Sequence, residues 1–292
     1  MHRQLVTIFD SMTKLLQFIG VLLLVGGLTY HFAALRVFNF LVLKDAGVDL
    51  AASGIAYGAD HRQRLDVYRP TTTGSAYPVL VFVYGGSWDS GRRQDYEFAA
   101  RAMAAQGYVV FVPDYRLVPQ YHYPVFVEDV ASAIAFARAH SKQYGGDGVR
   151  TYLLGHSAGA YIIAQAVLNP AFGVHGITAV ATLAGPFDFL PFDSPKSTAA
   201  FSRFPDLQAT QPVNFAHKLA PPFLVLHGGS DTTVKPRNGR ELAKRLRESG
   251  AIVQHTEYPG VSHVGIMLAL SKTFRGNAPV LDDVTGFFKT HR

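Results

Sequence analysis

The sequence predicts an α/β fold: a mostly parallel central sheet with helices on both faces and a small lid-like insertion. Three observations predict it. From about residue 50, short β-branched and apolar runs alternate with segments of helical periodicity, the pattern of parallel strands buried on both sides. Two early strand-like runs are joined by a short turn, which suggests an antiparallel edge. One strand-like run passes through a Gly-x-Ser-x-Gly turn directly into a helix.

The elements follow in order. "DLAASGIAYG" and "RLDVYRP" read as two strands around the turn-forming "ADHRQ". "PVLVFVYGG" is a buried strand that runs into glycines. "DYEFAARAMAAQG" is an Ala-rich helix closed by Gly107, a residue suited to a helix C-terminus. "YVVFVPDYR" is the next strand. "VFVEDVASAIAFARAHSKQYGG" is a helix with Val127, Val130, Ile134 and Ala137 on one face. "RTYLLG" is a strand, and "AGAYIIAQAVLN" a helix stopped by Pro170. "GITAVATLAG", "PFLVLHGG" and "IVQHTEYPG" are further strands, and "PVLDDVTGFFKTHR" closes the chain as a helix. Residues 186–222 interrupt this alternation. Their phenylalanines and prolines speak for an ordered lid or pocket wall over a flexible linker.

Composition bounds the function classes. A chain of 292 residues that is 48% hydrophobic can bury a large core. The formal charge of +6 is concentrated in "KPRNGRELAKRLRE", but Leu242, Ala243 and Leu246 share one side of that stretch and no aromatics interleave with its charges. It reads as the solvated face of a surface helix, and no nucleic-acid partner is expected. Cysteine is absent, which removes disulfides, thiol nucleophiles and thiolate metal sites. Neither HExxH nor a P-loop is present, so no metal or organic cofactor is expected.

Residues 1–45 form an apolar N-terminal segment. Within it, 15–35 contain no Asp, Glu, Lys or Arg and are just long enough for a membrane anchor. A helix packed on the domain at 46–292 or capping its site is the second reading. A cleaved signal peptide fits less well, because His31 or Phe32 stands where a small residue is expected before Ala33-Ala34. The corresponding expectation is a membrane-associated or periplasmic protein, with a cytoplasmic one carrying a cap helix as the alternative. Oligomeric state is left open.

The Gly-x-Ser-x-Gly turn carries the chemistry. Strand, turn, helix is the setting in which Ser157 would stand on a strained corner, with Gly155 and Gly159 leaving room for close backbone and the helix N-terminus favouring a developing anion. A serine hydroxyl needs a base, and the base needs an orienting carboxylate. Asp231, in "LVLHGGSDTTV", and His263, in "YPGVSHVG", each follow a strand's C-terminal end, 74 and then 32 residues further on. Both should therefore reach the sheet edge that carries Ser157. His156 is expected to point away from the pocket, and His227 to be a hydrogen-bonded structural residue. "VYGGSWDSG" follows a buried strand where an oxyanion loop belongs, so the N–H groups of Gly86, Ser87 and Ala158 are the expected donors. Trp88, Phe187 and Phe189 are the expected walls of an apolar substrate pocket.

With "YGGSW", "PDYRL", "GHSAG", "GSDTTV" and "SHVG" placed, residues 50–292 resemble the α/β-hydrolase fold. More narrowly, they resemble bacterial carboxylesterases related to hormone-sensitive lipase, kynurenine formamidase and the feruloyl esterases. The resemblance implies a serine hydrolase acting on a small-molecule carboxylic ester of short to medium acyl chain. An amidase or arylformamidase using the same triad is the alternative, as is a non-catalytic binding protein on this fold. One departure stands out. Many relatives have His-Gly-Gly at the oxyanion loop, where this chain has Tyr84-Gly85-Gly86, so the Tyr84 hydroxyl is expected to brace the loop. Asp114 and Arg116 are expected to form a structural ion pair, with Asp129 as a further partner.

Overall fold

The computed structural model describes residues 35–72 and 76–292, and the chain divides into two compact units, 1–41 and 42–292. Of the first unit, residues 35–41 are described and are helical. The apolar stretch 15–34 lies outside the described residues. Among those described, no helix is long and apolar enough to cross a membrane.

The second unit is built on one eight-stranded sheet. Its strands are β1 (Val48–Ala56), β2 (Arg64–Pro70), β3 (Tyr77–Val83), β4 (Val109–Pro113), β5 (Gly146–His156), β6 (Ala179–Leu183), β7 (Phe223–Gly228) and β8 (Val253–Tyr258). Their spatial order is β1-β2-β4-β3-β5-β6-β7-β8. Strands β3 to β8 run parallel, and every residue of β4, β6 and β7 is buried. The antiparallel part is larger than the sequence suggests, because β2 pairs antiparallel with β4 as well as with β1.

The helices are α1 (Glu97–Ala105), α2 (Val125–His140), α3 (Ala158–Leu168), α4 (Pro195–Phe201), α5 (Arg237–Glu248), α6 (His263–Leu268) and α7 (Val280–Thr290). All eleven residues of α3 are buried, so the helix that leaves the serine turn is a core element. α5 behaves as its sequence predicts: Leu242, Ala243 and Leu246 face inward, and Arg245 reaches Glu241 at 2.8 Å on the outer face. Because the chain moves from β3 to β4 on one side and then crosses to β5 on the other, the ends of β3 and β5 flank a topological switch point.

The segment 186–222 is ordered and docked. Ser194 caps α4 by accepting from the Ser197 N–H, and Pro195 starts the helix where its missing donor costs nothing. Phe201 then meets Trp88 edge-to-face with ring centroids 4.8 Å apart. Farther along, the Thr210 carbonyl accepts from Tyr161 Oη (2.8 Å) and the Ala209 carbonyl from Gln165 Nε2 (2.8 Å), which ties the segment to α3.

The expected ion pair is redistributed. Arg116 pairs with Asp129, not with Asp114: its backbone N–H and guanidinium bind both carboxylate oxygens, and Gln63 Nε2 adds a donor at 2.8 Å. Asp114 instead pairs with Arg93, whose guanidinium also binds Asp66 at 2.8 Å. The reason is geometric: β4 ends at Pro113, and the two residues leave its end toward different neighbours, α2 for Arg116 and the turn before α1 for Asp114. The Asp129 carboxylate is wholly buried, so removing it strands a guanidinium. Asp129→Ala is expected to lower the free energy of unfolding by about 3 kcal/mol, measured as a shift of the urea midpoint.

Candidate active site

Ser157 joins β5 to α3 with φ 54° and ψ −121°, a conformation that L-residues rarely adopt. Two glycines permit it. A Cβ on Gly159 would lie 2.1 Å from the Val83 carbonyl oxygen, and one on Gly155 would lie 2.7 Å from the Ala160 nitrogen. The turn is therefore pressed against the end of β3 on one side and its own helix on the other. Ser157 Oγ is left 2.9 Å from His263 Nε2, and His263 Nδ1 is 2.7 Å from Asp231 Oδ2. Since a carboxylate only accepts, Nδ1–H donates to Asp231 and Nε2 is left to accept from the serine hydroxyl.

Each partner is fixed locally. Asp231 Oδ1 accepts from the N–H groups of Thr233 and Val234, both at 2.9 Å, in a turn just beyond β7. Its Oδ2 receives a second imidazole, His227 Nε2 at 3.3 Å, which also donates to the Val234 carbonyl at 2.8 Å. Burial alone would raise the Asp231 pKa, but the hydrogen bonds from His227 and His263 outweigh it and hold the carboxylate ionised. His263 is the first residue of α6, capped by Ser262, whose oxygen accepts from the Gly265 N–H. The sequence reading contained no helix here; the Ser-x-x-Gly start of a six-residue helix is too short to show periodicity.

His156 lies beneath this chain. Its Nε2–H donates to the His263 carbonyl at 3.1 Å, and the two rings stand 5.0 Å apart. His227, read from sequence as structural, also touches the site through Asp231.

The loop after β3 has positive φ at three successive residues: Gly86 at 137°, Ser87 at 52° and Trp88 at 61°. The Gly86 carbonyl accepts from the N–H groups of Asp89 and Ser90 and from Ser90 Oγ, which curls the loop tightly. A Cβ on Gly86 would fall 2.2 Å from the Ser90 carbonyl oxygen, and one on Gly85 would fall 2.9 Å from Ser157 Cβ. Tyr84 donates its hydroxyl to Asp114 Oδ1 at 2.6 Å and is stacked between Tyr96 and Tyr115. Those neighbours hold the backbone: Tyr115 Oη donates to the Tyr84 carbonyl (3.1 Å) and Tyr96 Oη to that of Gly85 (3.2 Å). Neither could be foreseen from the sequence, because both lie in other elements and become neighbours only on folding.

A cavity of about 380 Å³ opens at Ser157, walled in part by Ser87, Ala158, Trp88 and Phe189. Phe187, expected as a third wall, is not among its lining residues. It is fully buried, its ring packed where a Cβ on Gly185 would fall 2.3 Å away, while its N–H is held by Asn238. Residues two apart in a strand share a side, so nothing in the spacing of Phe187 and Phe189 separates them; the irregular backbone of the segment does. A larger surface groove of about 560 Å³ beside α2, lined by Tyr123 and Phe204, contains none of these residues.

Residues 65–246 match the BD-FAE family. The chain belongs to the BD-FAE family. Among curated relatives of this BD-FAE chain, it is 33% identical to the esterase LipC of Mycobacterium tuberculosis over 72% of its own length and 58% of the relative's. It is 30% identical to a probable isoprenylcysteine alpha-carbonyl methylesterase of Arabidopsis thaliana, over 73% of its length and 51% of the relative's. The chain thus spans a little over half the length of these relatives. Among solved structures, esterase B from Lactobacillus Rhamnosis superposes with a TM-score of 0.79 at 19% identity, covering 93% of this chain and 95% of that one. A thermostable esterase from Pseudomonas putida gives 0.72 at 22%, covering 89% and 88%. The BD-FAE chain therefore has the α/β-hydrolase fold.

Burial, then the neighbouring His263, holds the His156 pKa down at about 3. The unfolded chain takes up that proton near pH 6.5 while the folded chain does not, so this group withdraws stability as pH falls from 6.5 toward 3. The wild type should lose about 2 kcal/mol more than His156→Gln between pH 7.5 and pH 5, read from urea midpoints at the two values.

Proposed function

We propose that the protein is a carboxylic ester hydrolase working through an acyl-enzyme on Ser157. The observation that carries this reading is the unbroken hydrogen-bond chain from Ser157 Oγ through His263 to an ionised Asp231, at the mouth of a cavity. His263 Nε2 takes the hydroxyl proton as Oγ attacks the ester carbonyl, and Asp231 stabilises the imidazolium that forms. The N–H groups of Gly86, Ser87 and Ala158 receive the oxyanion; the last belongs to the first residue of α3, where helix donors point outward. Return of the proton from His263 to the departing alkoxide releases the alcohol. Water, deprotonated by the same imidazole, then attacks the acyl-enzyme, and the acid leaves as Ser157 is reprotonated.

Trp88 and Phe189, with centroids 6.1 Å apart, make the apolar side of the cavity, and its volume of about 380 Å³ favours short to medium acyl chains. Activity should be read on p-nitrophenyl esters from acetate to palmitate, with the short and medium chains turned over fastest. Ser157→Ala should lower kcat roughly 10⁶-fold and Asp231→Ala roughly 10⁴-fold. An Asp231 variant as active as its parent would remove that residue from the mechanism. Folded protein that turns over aryl formamides or amides but no ester would instead assign amide chemistry to the same residues.

Association with a membrane through residues 15–35 belongs to the same proposal, supported by the absence of charge across that stretch. The full chain should then require detergent for extraction and a chain lacking residues 1–45 should not; equal release of both into buffer would end this part of the reading.

A further inference from the structure

Besides the aromatic residues, the cavity is bordered by Thr232, Thr233, Lys235 and Arg237, and by Lys196 of α4. Lys235 and Arg237 differ from most of the basic residues that follow them. Farther along α5, Arg240, Lys244 and Arg245 each have an acidic partner, in Glu257, Glu248 and Glu241. Lys196 is matched by Asp89 at 2.9 Å. Among the described residues, no ion pair uses Lys235 or Arg237, and both side chains are exposed. The cavity's one carboxylate is Asp193. Among the described residues that line the cavity, the basic side chain of Lys196 is thus paired, and those of Lys235 and Arg237 are not.

Their backbone is held at both ends. Asp231 Oδ1 binds the N–H groups of Thr233 and Val234 on one side. On the other, the buried side chain of Asn238 accepts from the N–H groups of Phe187 and Asp188, both at 2.9 Å, and donates to the Lys235 carbonyl at 3.2 Å. The segment is therefore tied at one end to the residue that orients His263 and at the other to the insertion that carries Phe189. Two unpaired cations on a fixed frame beside an apolar wall will favour a molecule with matching parts.

We propose that the preferred substrates are esters bearing a carboxylate, which Lys235 and Arg237 receive while the apolar portion lies against Trp88 and Phe189. This rests on the ester-hydrolase reading and adds to it a charge on the substrate. The anion could sit on the acyl or on the alcohol side of the scissile bond, and the test separates the two. The full chain is assayed at low salt on two matched pairs: 4-nitrophenyl hemiglutarate against 4-nitrophenyl valerate, and 3-carboxyphenyl acetate against phenyl acetate, each corrected for spontaneous hydrolysis. In at least one pair the anionic member should have the higher kcat/KM, by about tenfold, the scale of two partly solvated ion pairs. That ratio should collapse toward one in a Lys235→Gln/Arg237→Gln double variant and in 0.5 M salt, where the Debye length falls to about 4 Å. Neutral esters turned over with no anionic preference in either pair, or a preference that the double variant leaves intact, would overturn the charge inference alone. No turnover of any of the four esters would instead remove the ester-hydrolase reading on which it rests.

Discussion

The structure turns on one close approach. Gly159, two residues into the site helix, lies so near the end of β3 that even a methyl group there would meet the Val83 carbonyl at 2.1 Å. That contact lets β5 turn into α3 within a single residue, and the turn forces positive φ on Ser157. The same contact brings the loop after β3 against the serine, where Gly85 leaves its Cβ only enough room. Ser157, the helix N-terminus and the loop after β3 are thereby one mechanical unit. The buried α3 supplies the packing energy that offsets the strain.

Around that unit, polar groups are used to hold and apolar groups to enclose. Asp231 gathers two backbone donors and two imidazoles, so its orientation does not depend on His263 alone. The loop after β3 is held by a stack of three tyrosines whose hydroxyls bind backbone carbonyls or Asp114, itself neutralised by Arg93. Through its hydroxyl, Tyr84 reaches the Asp114 carboxylate across the sheet end. The insertion encloses the site by packing Phe189 and Phe201 around Trp88, and Asn238 ties its first residues to the segment that follows Asp231. Phe189, Asp231 and Ser157 then keep their spacing together.

The alternation of apolar runs and helical periodicity was enough to determine the strand order in the chain, the parallel character of most of the sheet, and the edge on which the serine, aspartate and histidine meet. Those features are local or follow from strand direction, since each residue comes just after a strand's C-terminal end. Glycines at 155 and 159 were legible for the same reason: the turn they permit is a five-residue matter. Tertiary structure alone decided which partners the charged and aromatic residues took. Arg93 rather than Arg116 neutralises Asp114, His227 shares Asp231, and Tyr96 and Tyr115 hold the loop after β3, because long side chains choose among whatever the fold brings within a few ångströms. It also decided that Phe187 is core and Phe189 is cavity wall, since the direction of a side chain in an irregular segment has no period to be read from.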